Sequence, residues 1–366
     1  MQELIASLES TRSLVSERLA RSLDQARVRL AHVGPEPGDV IDAAAALLSG
    51  GKRLRAAFCV AGWSAAGGPQ PRDAASPAVI AGSSLELFQA AALVHDDVMD
   101  ESLTRRGKPA AHRRFAALHD ANAWLGSPDL FGEAAAILLG DLLLVTSFRE
   151  LAQALSHLPA ECAAQAQDVY DLMTAEVTLG QYLDMQAQAA PWHPRAADDL
   201  ERASRVVRAK SARYSVEHPT VIGAAMAGAS HDQLEQLSQF GLPIGEAFQL
   251  RDDILGVFGD PAVTGKPAGD DLREGKRTLL VVLAMERGTD TQRHTLTNAL
   301  GRRDLAADDL DAARDVLVAT DALAAVEERI THRADEGLAA LERAELTEQA
   351  RHELRGLAEL AIDRSS

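Results

Sequence analysis

The chain has 366 residues, long for one domain but within reach of a large helical one, and 46% of them are hydrophobic, enough to bury a sizeable core. Aromatics are only 4%, and the apolar content is mostly Ala, Leu and Val, a balance that favours close-packed helices over sheets. With 37 basic and 54 acidic residues the net charge is -17, so no basic excess exists to bind nucleic acid, and an anionic substrate would need local cations or metal ions.

Cys59 and Cys162 are the only cysteines, too few for a disulfide scaffold or a Cys-based zinc site. The opening MQELIASLES has no basic segment followed by an apolar core, so no signal peptide is read there. The most apolar stretch, 134–145, is short and carries Asp141, which argues against a membrane span. A cytoplasmic protein, not integral to a membrane, is expected.

In chain order, Leu4, Leu8, Val15 and Leu19 recur at helical spacing. Helices are then predicted over 40–49, 54–66, 77–101, 134–155, 161–188, 198–211, 220–227, 231–255, 278–287 and, with breaks, 308–363. Loops are predicted at Gly67-Gly68-Pro69, Gly126-Ser127-Pro128, Pro191-Trp192-His193-Pro194 and 259–275. No strand-like alternation of useful length is found. One all-α domain over 1–366 is expected, a bundle of long helices around a central cavity.

Two acidic clusters stand out. His95-Asp96-Asp97-Val98-Met99-Asp100 closes a long apolar helix, with Asp96 and Asp100 one turn apart on one face. Like charges there repel, and the negative end of the helix dipole adds to the cost, which suggests a bound cation. Oxygen-only ligands point to Mg²⁺, which bridges carboxylates to substrate phosphates; a solvated acidic helix end is the plainer alternative. The second cluster, Gln249-Leu250-Arg251-Asp252-Asp253-Ile254-Leu255-Gly256, also closes an apolar helix, with Gly256 as a possible C-cap where a third carboxylate would stand.

Cationic segments accompany the acids. Gly50-Gly51-Lys52-Arg53-Leu54-Arg55 joins flexible glycines to three cations at a helix start, where backbone N–H groups favour an anion. Arg105-Arg106-Gly107-Lys108 follows the first acidic cluster; it reads as ion-pair partners or as a diphosphate grip. Lys210-Ser211-Ala212, a Gly-rich loop with Lys266, and Gly275-Lys276-Arg277 come later. That loop reads as a flap over phosphates or as an ordinary surface loop.

Taken in order, Gly-Gly-Lys-Arg-x-Arg, Asp-Asp-x-x-Asp, Arg-Arg-Gly, Lys-Ser-Ala, Gln-x-x-Asp-Asp and Gly-Lys resemble the trans-isoprenyl diphosphate synthase (polyprenyl synthetase) family over about residues 40 to 290. Within it, the gapless first cluster and Asp-Asp-Ile-Leu-Gly-Val-Phe-Gly-Asp are most similar to actinobacterial members that make geranylgeranyl diphosphate. The resemblance implies an isoprenoid synthase-type fold and head-to-tail condensation of isopentenyl diphosphate with an allylic diphosphate (dimethylallyl, geranyl or farnesyl). It implies that Asp96, Asp97, Asp100, Asp252 and Asp253 hold several Mg²⁺ ions, with Mn²⁺ as a substitute, on the allylic diphosphate. Arg105, Lys210 and Lys266 would contact that diphosphate, with Ser211, Gln249 and Lys276 nearby. Lys52, Arg53, Arg55 and Arg106 would hold the metal-free diphosphate, with Gln89 where the family carries His or Gln. A homodimer is implied as well. Ser211 replaces the family's usual Thr, and Gly256 departs from the full second motif.

Product length is read from the helix before Asp96. Ala91 and Ala92 leave room above the aspartates, so the chain is expected to pass farnesyl. Phe88, three residues deeper and about 4.5 Å along the axis, is the expected floor, with ordinary core packing as the alternative. Geranylgeranyl diphosphate is the expected product; farnesyl or longer-chain synthesis is the alternative. A class I terpene cyclase lacks the Gly-Gly-Lys-Arg-x-Arg and Arg-Arg-Gly segments, and a non-catalytic partner subunit tends to lose the first Asp cluster.

Overall fold

The structure, a computed structural model, describes residues 2–193, 195–260 and 268–363. Helices dominate it: α1 (Gln2–Leu30), α2 (Gly38–Leu48), α3 (Leu54–Ala65), α4 (Pro77–Met99), α5 (Ala111–Ala121), α6 (Pro128–Leu155), α7 (Ala160–Ala189), α8 (Ala196–Val206), α9 (His218–Met226) and α10 (His231–Phe258). They continue with α11 (Asp270–Glu274), α12 (Leu279–Arg287), α13 (Asp290–Ala299), α14 (Ala307–Ala319), α15 (Ala322–Arg343) and α16 (Glu348–Ile362). The expected all-α class is observed.

The chain divides into two compact units. The first comprises Met1–Tyr170, Pro219–Glu235 and Glu345–Leu357; the second comprises Asp171–His218, Gln236–Ala344 and Ala358–Ser366.

In the first unit, Val15, Leu19 and Leu23 line one face of α1 and join Leu87 and Val94 of α4 with Leu139 and Leu143 of α6 in a single apolar core. This is the periodicity of an amphipathic helix meeting two nearly all-apolar ones. Some polar groups inside this unit bond in sets. Arg18 Nε donates to Glu150 Oε2 at 2.6 Å, and Ser22 Oγ to Glu150 Oε1 at 2.9 Å. Ser84 Oγ donates to the Ser147 carbonyl at 2.8 Å, and Ser147 Oγ lies 2.5 Å from the Tyr170 hydroxyl. In the second unit, Leu250, Ile254 and Val257 of α10 pack with Leu279 and Leu280 of α12 and with Val326 and Ile330 of α15.

Several expectations are corrected. The apolar stretch at 134–145 lies within α6, whose start is set by Pro128 and by Ser127 Oγ accepting from Leu130 N–H at 3.4 Å. By length and composition α4 and α6 could each cross a membrane; the most apolar windows are 78% and 44% buried in the protein. A strand pair does exist: Thr104–Arg105 pairs antiparallel with Lys108–Pro109. Arg106 (φ 52°) and Gly107 (φ 72°) form its two-residue turn, the positive-φ geometry of a tight hairpin. Helices α5 and α13 arise in segments left unassigned above. The helix predicted over 198–211 ends as α-helix at Val206 and continues as π-helix over Val207–Glu217. Gly256 is not a C-cap, because α10 runs through it to Phe258.

Candidate active site

In the first unit, α4 delivers Asp96 and Asp97 in its last turn and is capped by Asp100, whose N–H donates to the Asp96 carbonyl at 2.8 Å. Asp97 and Asp100 are buried and Asp96 is half-buried. The hairpin after α4 returns Arg105 over the cluster. Its Nε donates to Asp97 Oδ1 and Oδ2 at 3.0 and 3.2 Å, and its second terminal nitrogen reaches Asp97 and, at 3.7 Å, Asp96 Oδ2. His95 packs on the bare backbone of Gly140, its Nε2 3.2 Å from the Ile137 carbonyl. Burial lowers the His112 imidazole, and the Asp97 charge opposes this.

The same turn aims Arg106 elsewhere. Its guanidinium lies over Gly51, 3.4 Å from where a Cβ would stand, and 3.5 Å from the Leu47 carbonyl. The hairpin and the Gly50-Gly51-Lys52 loop therefore meet. Lys52 is exposed and Arg55 buried. Arg53, in left-handed backbone (φ 53°), turns inward, donating to the Leu48 carbonyl and pairing with Glu86 at 3.5 Å. Glu86 also accepts from Ala56 N–H at 3.3 Å. Burial lowers the Arg106 guanidinium; Glu86 opposes the shift, and Arg53, Arg105 and Arg55 add to it. Such crowding of cations suits a bound anion. Gln89 and Ala92 are half-buried, and Ala91 and Phe88 are buried. Phe88 meets the edge of Tyr170 at 6.3 Å between ring centroids.

In the second unit, Asp252 is exposed and Asp253 buried, and Gln249 Nε2 donates to Asp253 Oδ1 at 2.8 Å. Burial pushes the Asp253 carboxyl well above its ordinary value. Asp271, Asp252 and Asp184 add to the shift and Gln249 opposes it. Asp271, at the start of α11, takes the space a side chain at Gly256 would fill. Lys276 Nζ lies 2.6 Å from Glu274 Oε2 and 3.9 Å from Asp271 Oδ1. Lys210 Nζ donates to Asp184 Oδ2 at 2.6 Å, and Ser211 beside it is half-buried. Lys266 lies outside the described residues.

Glu86, Asp184 and Asp271 were missed in the sequence. Asp184 carried a usable signal, being an acid four residues after Gly180, in an interrupted apolar face. Each unit thus has carboxylates near the end of one long helix, and the first also has guanidiniums at a glycine-rich helix start.

The fold and these groups define an all-α enzyme for phosphorylated substrates. The polyprenyl synthetase family model matches residues 40–317. A geranylgeranyl diphosphate synthase of Sulfolobus acidocaldarius is 33% identical over 269 residues, 74% of this chain and 73% of the relative. A geranylfarnesyl diphosphate synthase of Aeropyrum pernix is 34% identical over 285 residues, 77% of this chain and 80% of the relative. The crystal structure of a Corynebacterium glutamicum geranylgeranyl pyrophosphate synthase, complexed with isoprenyl diphosphate and magnesium, superposes with a TM-score of 0.90 at 38% identity, covering 98% of this chain and 99% of that one. The chain belongs to the polyprenyl synthetase family and is a trans-prenyltransferase.

Proposed function

We propose that the enzyme condenses isopentenyl diphosphate with an allylic diphosphate and carries the product to geranylgeranyl diphosphate. The observation that carries this reading is the order along α4. Small Ala91 and Ala92 precede Asp96, and buried Phe88 lies deeper, edge-on to Tyr170.

Asp96, Asp97 and Asp100 in the first unit, and Asp252 and Asp253 in the second, would hold Mg²⁺ on the allylic diphosphate, with Mn²⁺ as a substitute. The donors fit a hard cation. They are carboxylates, and Asp253 resists ionisation among its acidic neighbours, a cost that a cation would offset. Among the described residues no three such groups converge to enclose an ion alone, so the remaining ligands would be phosphate oxygens and water. Bound Mg²⁺ would stabilise negative charge on the departing diphosphate.

Arg105, Lys210 and Lys266 would grip the same diphosphate, with Ser211, Gln249 and Lys276 supporting. Lys52, Arg55 and Arg106 would hold isopentenyl diphosphate, with Gln89 beside them and Arg53 fixing the loop through Glu86. The allylic C–O bond breaks and its electron pair leaves with diphosphate. The isopentenyl double bond attacks the cation, and the proton lost goes to the released diphosphate. Water would quench the cation, so the reaction needs a site from which it is excluded.

The matched stretch 40–317 runs through residues of both units, and we take the chain to work as one catalytic domain in the cytoplasm. A homodimer would cover the exposed apolar residues of α6, among them Leu130, Leu138 and Val145.

The test is to incubate the pure protein with Mg²⁺, isopentenyl diphosphate and each of dimethylallyl, geranyl and farnesyl diphosphate, and to measure product length. Geranylgeranyl diphosphate is expected from all three, and a farnesyl end point would overturn the product assignment. Asp96→Ala should abolish turnover while the fold is retained.

A further inference from the structure

The π-helical segment Val207–Glu217 carries Lys210 and Ser211. Such i→i+5 turns are rare, and an 11-residue run needs support from outside the helix. Two neighbours supply it. On α7, Glu176, Gly180 and Asp184 follow at four-residue spacing and share a face. Glu176 takes Arg213 at 3.0 Å and His218 at 2.9 Å, and Asp184 takes Lys210 at 2.6 Å. Between these acids, Gly180 lets the π-helical backbone approach. A Cβ there would lie 2.5 Å from Lys210 N and 2.7 Å from Ala209 C. On α10, Gly245 does the same at Ala212, where a Cβ would lie 2.7 Å from the carbonyl carbon, and Gly241 meets Glu217 Cα at 2.6 Å. Ser238 Oγ adds a bond to Glu217 Oε1 at 2.6 Å.

We infer that Gly180, Gly245 and Glu176 are positioning residues that hold the π register and so aim Lys210 at the diphosphate. The role of Lys210 rests on the reading above. A helix turns by about 100° per residue, so relaxation of the π turns to α-helix would swing the lysine off the α7 face while leaving it in the sequence. Close approach on both sides opposes that relaxation, and the Glu176 clasp with Arg213 and His218 fixes its far end.

The test is a double-mutant cycle read by calorimetric binding of inorganic diphosphate with Mg²⁺, without turnover. Gly180→Ala and Glu176→Gln are each made in the wild-type and the Lys210→Ala backgrounds, with folding checked by circular dichroism. Binding is expected to weaken about tenfold in the wild-type background, and by less than about twofold where Lys210 is already gone. Equal losses in both backgrounds would show a merely structural role and overturn the proposal, as would full-strength binding by the folded variants. Glu176→Gln adds no heavy atom, so it carries the cycle should Gly180→Ala fail to fold. If the cycle holds but the wild-type protein condenses no prenyl substrate, the function proposed above fails and the positioning stands. Absence of diphosphate binding by the wild-type protein overturns both.

Discussion

The carboxylate of Asp271 lies where a side chain at Gly256 would project: a Cβ built on Gly256 falls 2.5 Å from Asp271 Cγ and 2.9 Å from its Oδ1. The departure from a third aspartate at position 256 thus has a spatial counterpart supplied by α11. Gly256→Asp should destabilise the protein by about 1–3 kcal/mol through overpacking, with like-charge repulsion added. Asp271→Ala in the same chain should restore most of the loss. Melting temperatures of the two single variants and the double one decide this, and an unchanged melting temperature in Gly256→Asp would contradict it.

Asp253 gives a pH prediction. Burial, with Asp271, Asp252 and Asp184, raises its folded pKa well above the ordinary 3.8. Between those values the native state holds a proton that the unfolded chain has lost, so stability falls as pH rises through that window. Asp253→Asn should therefore raise the melting temperature of the metal-free protein at neutral pH and flatten its pH dependence. Thermal melts across the acid range measure both.

The Arg18–Glu150 pair is buried at both ends, with side chains 3% and 0% exposed. Arg18→Ala leaves the carboxylate without its closest cation and should cost about 3–5 kcal/mol. Urea unfolding measures the loss; a change below about 1 kcal/mol, the range of exposed pairs, would show that Arg149, 3.2 Å from Glu150, is sufficient.

Phe88 and Tyr170 can be separated experimentally. Tyr170→Phe keeps the ring that Phe88 meets and removes the hydroxyl shared with Ser84 and Ser147, so stability should fall by about 1–3 kcal/mol with product length unchanged. Phe88→Ala should lengthen the products on chromatography, and an unaltered distribution would remove Phe88 from length control.

Much of this was legible in the sequence because long apolar helices advertise themselves by period, and both acidic clusters close such helices. Helix α13 was also readable, since Thr289 and Gln292 form a capping box at its start, but its polar composition hid it. The π segment was not readable: α8 runs into it without a breaker residue, and no familiar period marks i→i+5 turns. Nor could the run Gly50–Arg55 reveal that Arg53 turns inward to Glu86. The left-handed backbone at Arg53 and the placement of Glu86 on α4 decide that. Asp271 became relevant only once tertiary packing set it against Gly256.

The first unit is assembled from segments far apart in the sequence. Ser7 Oγ donates to Glu353 Oε1 at 3.0 Å, and Glu345–Leu357 belongs with Met1–Tyr170. During synthesis, residues through Leu357 must therefore leave the ribosome before this unit can close. Until then its early helices, rich in Leu and Ala, have apolar faces that their partners in this unit have not yet covered.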